Sequence, residues 1–147
     1  MGSTYHSLHF HLVFSTKNRS PFIQEAWRSR FHEYLGGTVR GLGGVPEAVG
    51  GVEDHVHLLV GLNTTIAPAA FMRELKKASS VWAAETHEPR FGWQEGYGIF
   101  SVSASHCDAV RTYIANQEEH HRKVDFREEI QRLLERNGVN YDPKYLP

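Results

Sequence analysis

The chain has 147 residues, 40% hydrophobic and 22% charged, with a formal net charge of −1. This balance is that of a globular protein and excludes disordered and fibrous classes, while the near-neutral charge supplies no global basic field for a polyanion. The sequence shows no apolar run near the roughly 20 residues of a membrane span and no basic-then-apolar leader, and the single cysteine, Cys107, fits a reducing cytoplasm, so one cytoplasmic domain over 1–147 is expected.

Met1-Gly2-Ser3 reads as unstructured. From Leu8 to Phe14 the residues Leu8, Phe10, Leu12 and Phe14 alternate with His9, His11 and Val13, which predicts a half-buried strand. A polar loop follows over 15–21, carrying Lys17 and Arg19. From Phe22 onward Trp27, Phe31, Leu35, Val39 and Leu42 recur at three or four, predicting a helix that Gly36-Gly37 weakens and Gly43-Gly44 stops. Residues 45–52 and 55–62 read as strands joined tightly at Glu53-Asp54 into a hairpin. A second helix is predicted over about 66–86, capped by Thr64 or Thr65, with Pro68 in its first turn and Phe71, Leu75, Ala78 and Trp82 as its apolar stripe. After a loop over 88–96, residues 97–103 alternate as a fourth strand. Ser105 and Asp108 have the spacing of a capping box for a helix carrying Val110, Tyr113, Ile114, Gln117 and His121. A final amphipathic helix over about 125–136 stops at Asn137-Gly138, and the tail 139–147 reads as irregular. The order β-α-β-β-α-β followed by helices predicts an α+β, ferredoxin-like split βαβ fold. Its antiparallel sheet would carry helices mainly on one face, with C-terminal helices added.

Ten histidines are the compositional outlier, and any one of them taken singly reads as a surface or satisfied core residue. His55 and His57, two apart on a strand, project from one face, while Val56, Leu58 and Val60 supply the other. His9 and His11 have the same spacing, and spacing alone does not choose between the pairs. One cysteine is too few for the usual closed structural zinc site. Tyr113, Asn116, Gln117, His120 and His121 can share a helix face, a polar and aromatic lining where a bland helix would carry Leu or Ala. Paired imidazoles can hold a divalent cation, Gln117 offers a carbonyl oxygen suited to Mg²⁺ or Mn²⁺, and Tyr113 can attack a phosphate polarised by that cation. Tyrosine, with an ordinary pKa of about 10, needs such help. Lys17, Arg19, Arg73, Lys76 and Lys77 are candidate phosphate contacts, although each singly reads as a solvated cation.

Five segments in order carry a resemblance. They are Thr16-Lys17-Asn18-Arg19 after the first strand, Glu53-Asp54-His55-Val56-His57-Leu58-Leu59-Val60, Leu75-Lys76 with Ser79-Ser80, Trp93-Gln94-Glu95-Gly96-Tyr97-Gly98, and Tyr113-Ile114-Ala115-Asn116-Gln117. Together they resemble the single-tyrosine HUH transposases of small insertion sequences and their repeat-associated relatives, over nearly the whole chain. The resemblance implies that His55 and His57 are the metal-binding pair, that Gln117 is the third ligand, and that Tyr113 is the nucleophile. It places His9 and His11 on the first strand, outside the metal site. It further implies cleavage of single-stranded DNA through a 5′-phosphotyrosine link with a free 3′-hydroxyl, Mg²⁺ or Mn²⁺ as cofactor, and no nucleotide cofactor. A hairpin DNA substrate and a homodimer, with the tyrosine helix of one subunit facing the histidines of the other, are also implied. Lys17, Arg19 and Lys76 then become candidate DNA contacts. The net charge of −1 departs from what a DNA-processing enzyme would be expected to carry, and keeps open a hairpin-binding protein without strand transfer. A histidine-triad nucleotide hydrolase is disfavoured, because Leu59 stands where that family needs another histidine.

Overall fold

A computed structural model describes residues 2–147. Strands β1 (His9–Ser15), β2 (Val45–Gly51), β3 (His55–Gly61) and β4 (Gly98–Val102) form one antiparallel sheet in the order β2-β3-β1-β4. Helix α1 (Glu25–Gly41) joins β1 to β2, and α2 (Pro68–Thr86) joins β3 to β4. This is the split βαβ arrangement that the periodicities predict, followed by α3 (Cys107–Ala115), α4 (Gln117–His120) and α5 (Phe126–Arg136).

Strand side chains alternate between faces, so each central strand serves two cores. Leu12, Phe14, Val56, Leu58 and Val60 point toward α1 and α2 and join Trp27, Phe31, Leu35, Phe71, Met72 and Leu75 in the main core. Phe31 is fully buried and stacks 5.9 Å from Trp82 and 5.7 Å from Trp93, so Phe31→Ala would cost about 3–5 kcal/mol. On the opposite face Val13 packs with Phe100, Phe126 and Ile130, and Leu59 with Cys107 and Ile114. The C-terminal helices therefore cover this second face. The half-buried first strand expected from its alternation is covered on both sides from His11 to Ser15.

Two glycines permit this seating. The hairpin turn holds Gly51 at φ 144°, where a Cβ would lie 2.3 Å from the His55 carbonyl oxygen. At Gly50, beside His57 in register, the missing Cβ leaves room for the Ile114 backbone of α3.

Several local expectations are corrected. Neither Thr64 nor Thr65 caps α2: Thr65 closes onto the Asn63 side chain, and Ala67 is the N-cap ahead of Pro68, whose fixed φ starts the helix. The Ser105–Asp108 box does not form. A short 3-10 turn over Ala104–His106 leads into α3, and Asp108 pairs instead with Arg111 at 2.6 Å. The single helix expected through Tyr113 and His121 is interrupted at Asn116 (φ −100°, ψ 21°). α1 runs unbroken through Gly36-Gly37, because its buried face carries it against β2. In α5 the Asp125 side chain caps the Glu128 N–H, and Gly138 at φ 66° follows the helix end. No described helix is long and apolar enough to cross a membrane.

Candidate active site

The face of the sheet beneath the C-terminal helices carries the histidines. His55 and His57 are both fully buried on β3, and the register of the central strands sets His11 of β1 beside them. Each imidazole of the pair is oriented through its Nδ1. His55 Nδ1 lies 2.7 Å from Asp54 Oδ1, and His57 Nδ1 lies 2.8 Å from His11 Nε2. Both therefore turn Nε2 toward the α3–α5 layer, the arrangement by which an outer hydrogen bond fixes a ligating histidine. His11 is thus a buried partner of His57. His9 lies away from them, bonded to Glu47 at 2.8 Å.

From the opposing helices come Tyr113, Gln117, His121 and Glu129. The Tyr113 ring stands 5.6 Å from that of His57, and its hydroxyl donates to Glu129 Oε2. Gln117, almost fully buried, sets Oε1 at 3.2 Å from His55 Nε2 and 3.0 Å from His121 Nε2, while its amide nitrogen faces Glu129. Glu129 is 1% exposed. Its Oε1 lies 3.2, 2.9 and 3.1 Å from the Nε2 atoms of His55, His57 and His121, and its Oε2 is 3.2 Å from His120 Nε2. Within one chain, the structure thus brings together His55, His57, Gln117 and Tyr113.

A carboxylate so deeply buried needs compensating charge. Burial would raise the Glu129 pKa, yet hydrogen bonds from His121, His55 and His57 hold it far below the usual carboxylate range. Burial would lower His55, but hydrogen bonds to Asp54 and Glu129 and their charges raise it to about 9. Burial outweighs Glu129 at His57, which falls to about 4, and His11 is pushed down to about 3 by burial and by His57. The Tyr113 phenol lies well above its ordinary value through burial and then the neighbouring Glu129 charge. Asp54 and Glu129 thus favour the protonated form of His55 between them. Three imidazole nitrogens, an amide oxygen and a carboxylate oxygen converge there, a donor set that a divalent cation satisfies.

The three candidate DNA contacts lie apart from the buried cluster. Lys17 is exposed in a 3-10 turn after β1, in which Asn18 and Arg19 take left-handed φ values of 56° and 52°. Arg19 helps hold the Asp54 carboxyl below its ordinary range, third in effect to burial, which opposes it, and His55. Lys76 donates to the Gln94 and Gly96 carbonyls at 2.8 and 2.7 Å, tying down the 94–96 loop.

Sequence reasoning did not single out Glu129, nor assign His121 a role beyond the helix face. The signal for Glu129 was its helical position: three residues after Phe126 and next to Ile130, on the apolar side of α5, where a charge is out of place.

A family model described as "Transposase IS200 like" matches residues 4–117. No curated protein matches the chain. Among solved structures, a candidate transposase from Deinococcus radiodurans R1 is 25% identical, covering 80% of this chain and 96% of that one with a TM-score of 0.64. A REP-associated tyrosine transposase solved bound to a REP hairpin is 15% identical over 84% of this chain and 76% of that one, with a TM-score of 0.61, a likeness of fold.

Proposed function

The chain belongs to the IS200-like transposase family, and on that premise we propose that it is a metal-dependent DNA strand transferase that cleaves single-stranded or hairpin DNA through Tyr113. The observation that carries the reading is the convergence of the Tyr113 hydroxyl on the histidine cluster of its own chain. A divalent cation held by His55, His57 and Gln117 would supply charge neutralisation at a scissile phosphate. Domain organisation is read as one transposase domain over 1–147, working as a homodimer.

In the proposed step the Tyr113 oxygen attacks phosphorus, an O–P bond forms to the 5′ side, and the bond to the 3′-oxygen breaks. The departing oxygen keeps the electron pair and takes a proton from solvent, leaving a 3′-hydroxyl. The Tyr113 proton passes to Glu129 Oε2, which already accepts its hydrogen bond. Ordinary tyrosine and glutamate pKa values differ by about 6 units, so complete prior transfer would cost on the order of 8 kcal/mol even before the imidazoles that hold Glu129 low and the burial that raises Tyr113 add to it. Transfer must therefore accompany attack, as the phenol oxygen acidifies on bonding to phosphorus. Lys17 and Arg19, in the turn after β1, would meet the DNA backbone by charge.

The test is Tyr113→Phe with a hairpin oligonucleotide and Mn²⁺ or Mg²⁺. Wild type should give a covalent protein–DNA adduct on a denaturing gel, and the variant should give none while retaining the DNA in a gel shift. Cleavage by the variant would sink the mechanism. A hairpin-binding protein without strand transfer is the second reading, favoured by the net charge of −1, which supplies no basic field for a strand-processing enzyme. It predicts a gel shift with no adduct from wild type under either metal.

A further inference from the structure

Glu129 lies outside residues 4–117 that match the family, on a helix that the split βαβ unit does not require. It is nonetheless the most connected side chain of the site. Two ligands about 2.1 Å from one tetrahedral ion stand ~3.4 Å apart. Glu129 Oε1 lies 2.9–3.2 Å from three imidazole nitrogens, close to that edge length and equally close to a hydrogen bond. The four donor atoms of His55, His57, His121 and Glu129 lie within 4.8 Å of one another, so a small inward movement would close them on one ion. The low cysteine count, which argues against a structural zinc site, does not bear on this set, because a third imidazole and a carboxylate stand where thiolates would.

We propose that His121 and Glu129 join His55, His57 and Gln117 as ligands, making a site of three imidazoles, one carboxylate and one amide oxygen that takes a first-row transition ion in preference to Mg²⁺ and takes it without DNA. The inference rests on reading this cluster as the cation site of strand transfer, and it names the class of ion. Imidazole favours ions late in the Mn²⁺-to-Zn²⁺ series, whereas Mg²⁺ seeks near-octahedral oxygen and keeps its water. Burial of His55, His57 and Glu129 leaves little room for that water. His121, on the partly exposed side, completes the set from the end of α4.

The experiment is titration of the full chain, free of DNA, with Co²⁺ followed by visible absorption, and competition with Zn²⁺ and Mg²⁺. A visible Co²⁺ spectrum without a sulfur charge-transfer band is expected, displaced by Zn²⁺ and not by a hundred-fold excess of Mg²⁺. Glu129→Gln and His121→Ala should each weaken Co²⁺ by about ten-fold or more, with unchanged far-ultraviolet circular dichroism as the folding control. Binding by both folded variants as tight as wild type, or displacement by equimolar Mg²⁺, would overturn the proposal. A sulfur band lost in Cys107→Ser would place the ion instead at His9, Glu47 and Cys107, whose donors also lie within 4.8 Å of one another, and would overturn it equally. The readout needs neither DNA nor cleavage. Its failure leaves the Tyr113 reaction standing, and absence of an adduct leaves the ion site standing.

Discussion

Replacing Gly50 by alanine tests how the tyrosine is positioned. An added Cβ would lie 2.4 Å from the Ile114 carbonyl oxygen and 2.8 Å from Ile114 Cγ2. To restore even the 3.0–3.4 Å of a tight contact, α3 must retreat by 0.6–1.0 Å from β2, the difference from 2.4 Å. Ile114 is buried against the sheet, and Tyr113 is its neighbour in the chain, so the retreat carries Tyr113, the proposed nucleophile, with it. Overpacking of this kind costs about 1–3 kcal/mol, and a displacement near 1 Å slows a positioned reaction by up to ~10²-fold. Urea denaturation should therefore show a lower midpoint, and adduct formation with hairpin DNA should slow by one to two orders of magnitude. Gly37→Ala is the control: it is exposed inside α1 with nothing within 4 Å of its Cβ, and should stabilise by about 0.5–1 kcal/mol. Unchanged midpoint and rate in Gly50→Ala would refute the claim that this missing side chain seats the tyrosine helix.

Asp54→Asn should lower metal affinity by about 10–100-fold in the same titration, because the carboxylate that orients His55 through Nδ1 is lost; unchanged affinity would show that the strand alone aims the imidazole. His32, lowered to about 4 by burial and then by Arg28, stays neutral in the folded chain at pH values where the unfolded chain, with a pKa near 6.5, binds a proton. Its effect is therefore absent above about pH 6.5, grows as pH falls toward 4, and reaches about 2 kcal/mol of lost stability after allowance for screening. Urea midpoints at pH 7 and 4.5 should converge in His32→Leu relative to wild type, and equal pH sensitivity in the two would contradict the assignment. Lys76→Met leaves the Gln94 and Gly96 carbonyls without their donor, so amide exchange should quicken over 94–98 and stability should fall by about 1–2 kcal/mol. Weaker DNA binding with unaltered exchange would instead make Lys76 a phosphate contact.

The sequence by itself determined the fold to within a residue or two at most element ends. Alternation in 8–14 and 55–62 and the three-and-four spacing from Trp27 to Leu42 are local signals, and the segments they specify pack with apolar faces together in few ways. The same alternation put His55 and His57 on one face, and helical spacing put Tyr113 and Gln117 on another. Side-chain chemistry at the helix starts was less legible: Thr65 and Ser105 have capping residue types, yet Asn63 and Pro68 settle the first start and a 3-10 turn the second. Only the tertiary structure decided that these two faces meet within one chain, that His11 bonds to His57, and that Glu129 stands among the imidazoles. Periodicity records which side of an element is apolar. What lies across from that side depends on contacts between residues 62 and 72 positions apart, such as His55 with Gln117 and His57 with Glu129, and these exist only once α3 to α5 dock on the sheet.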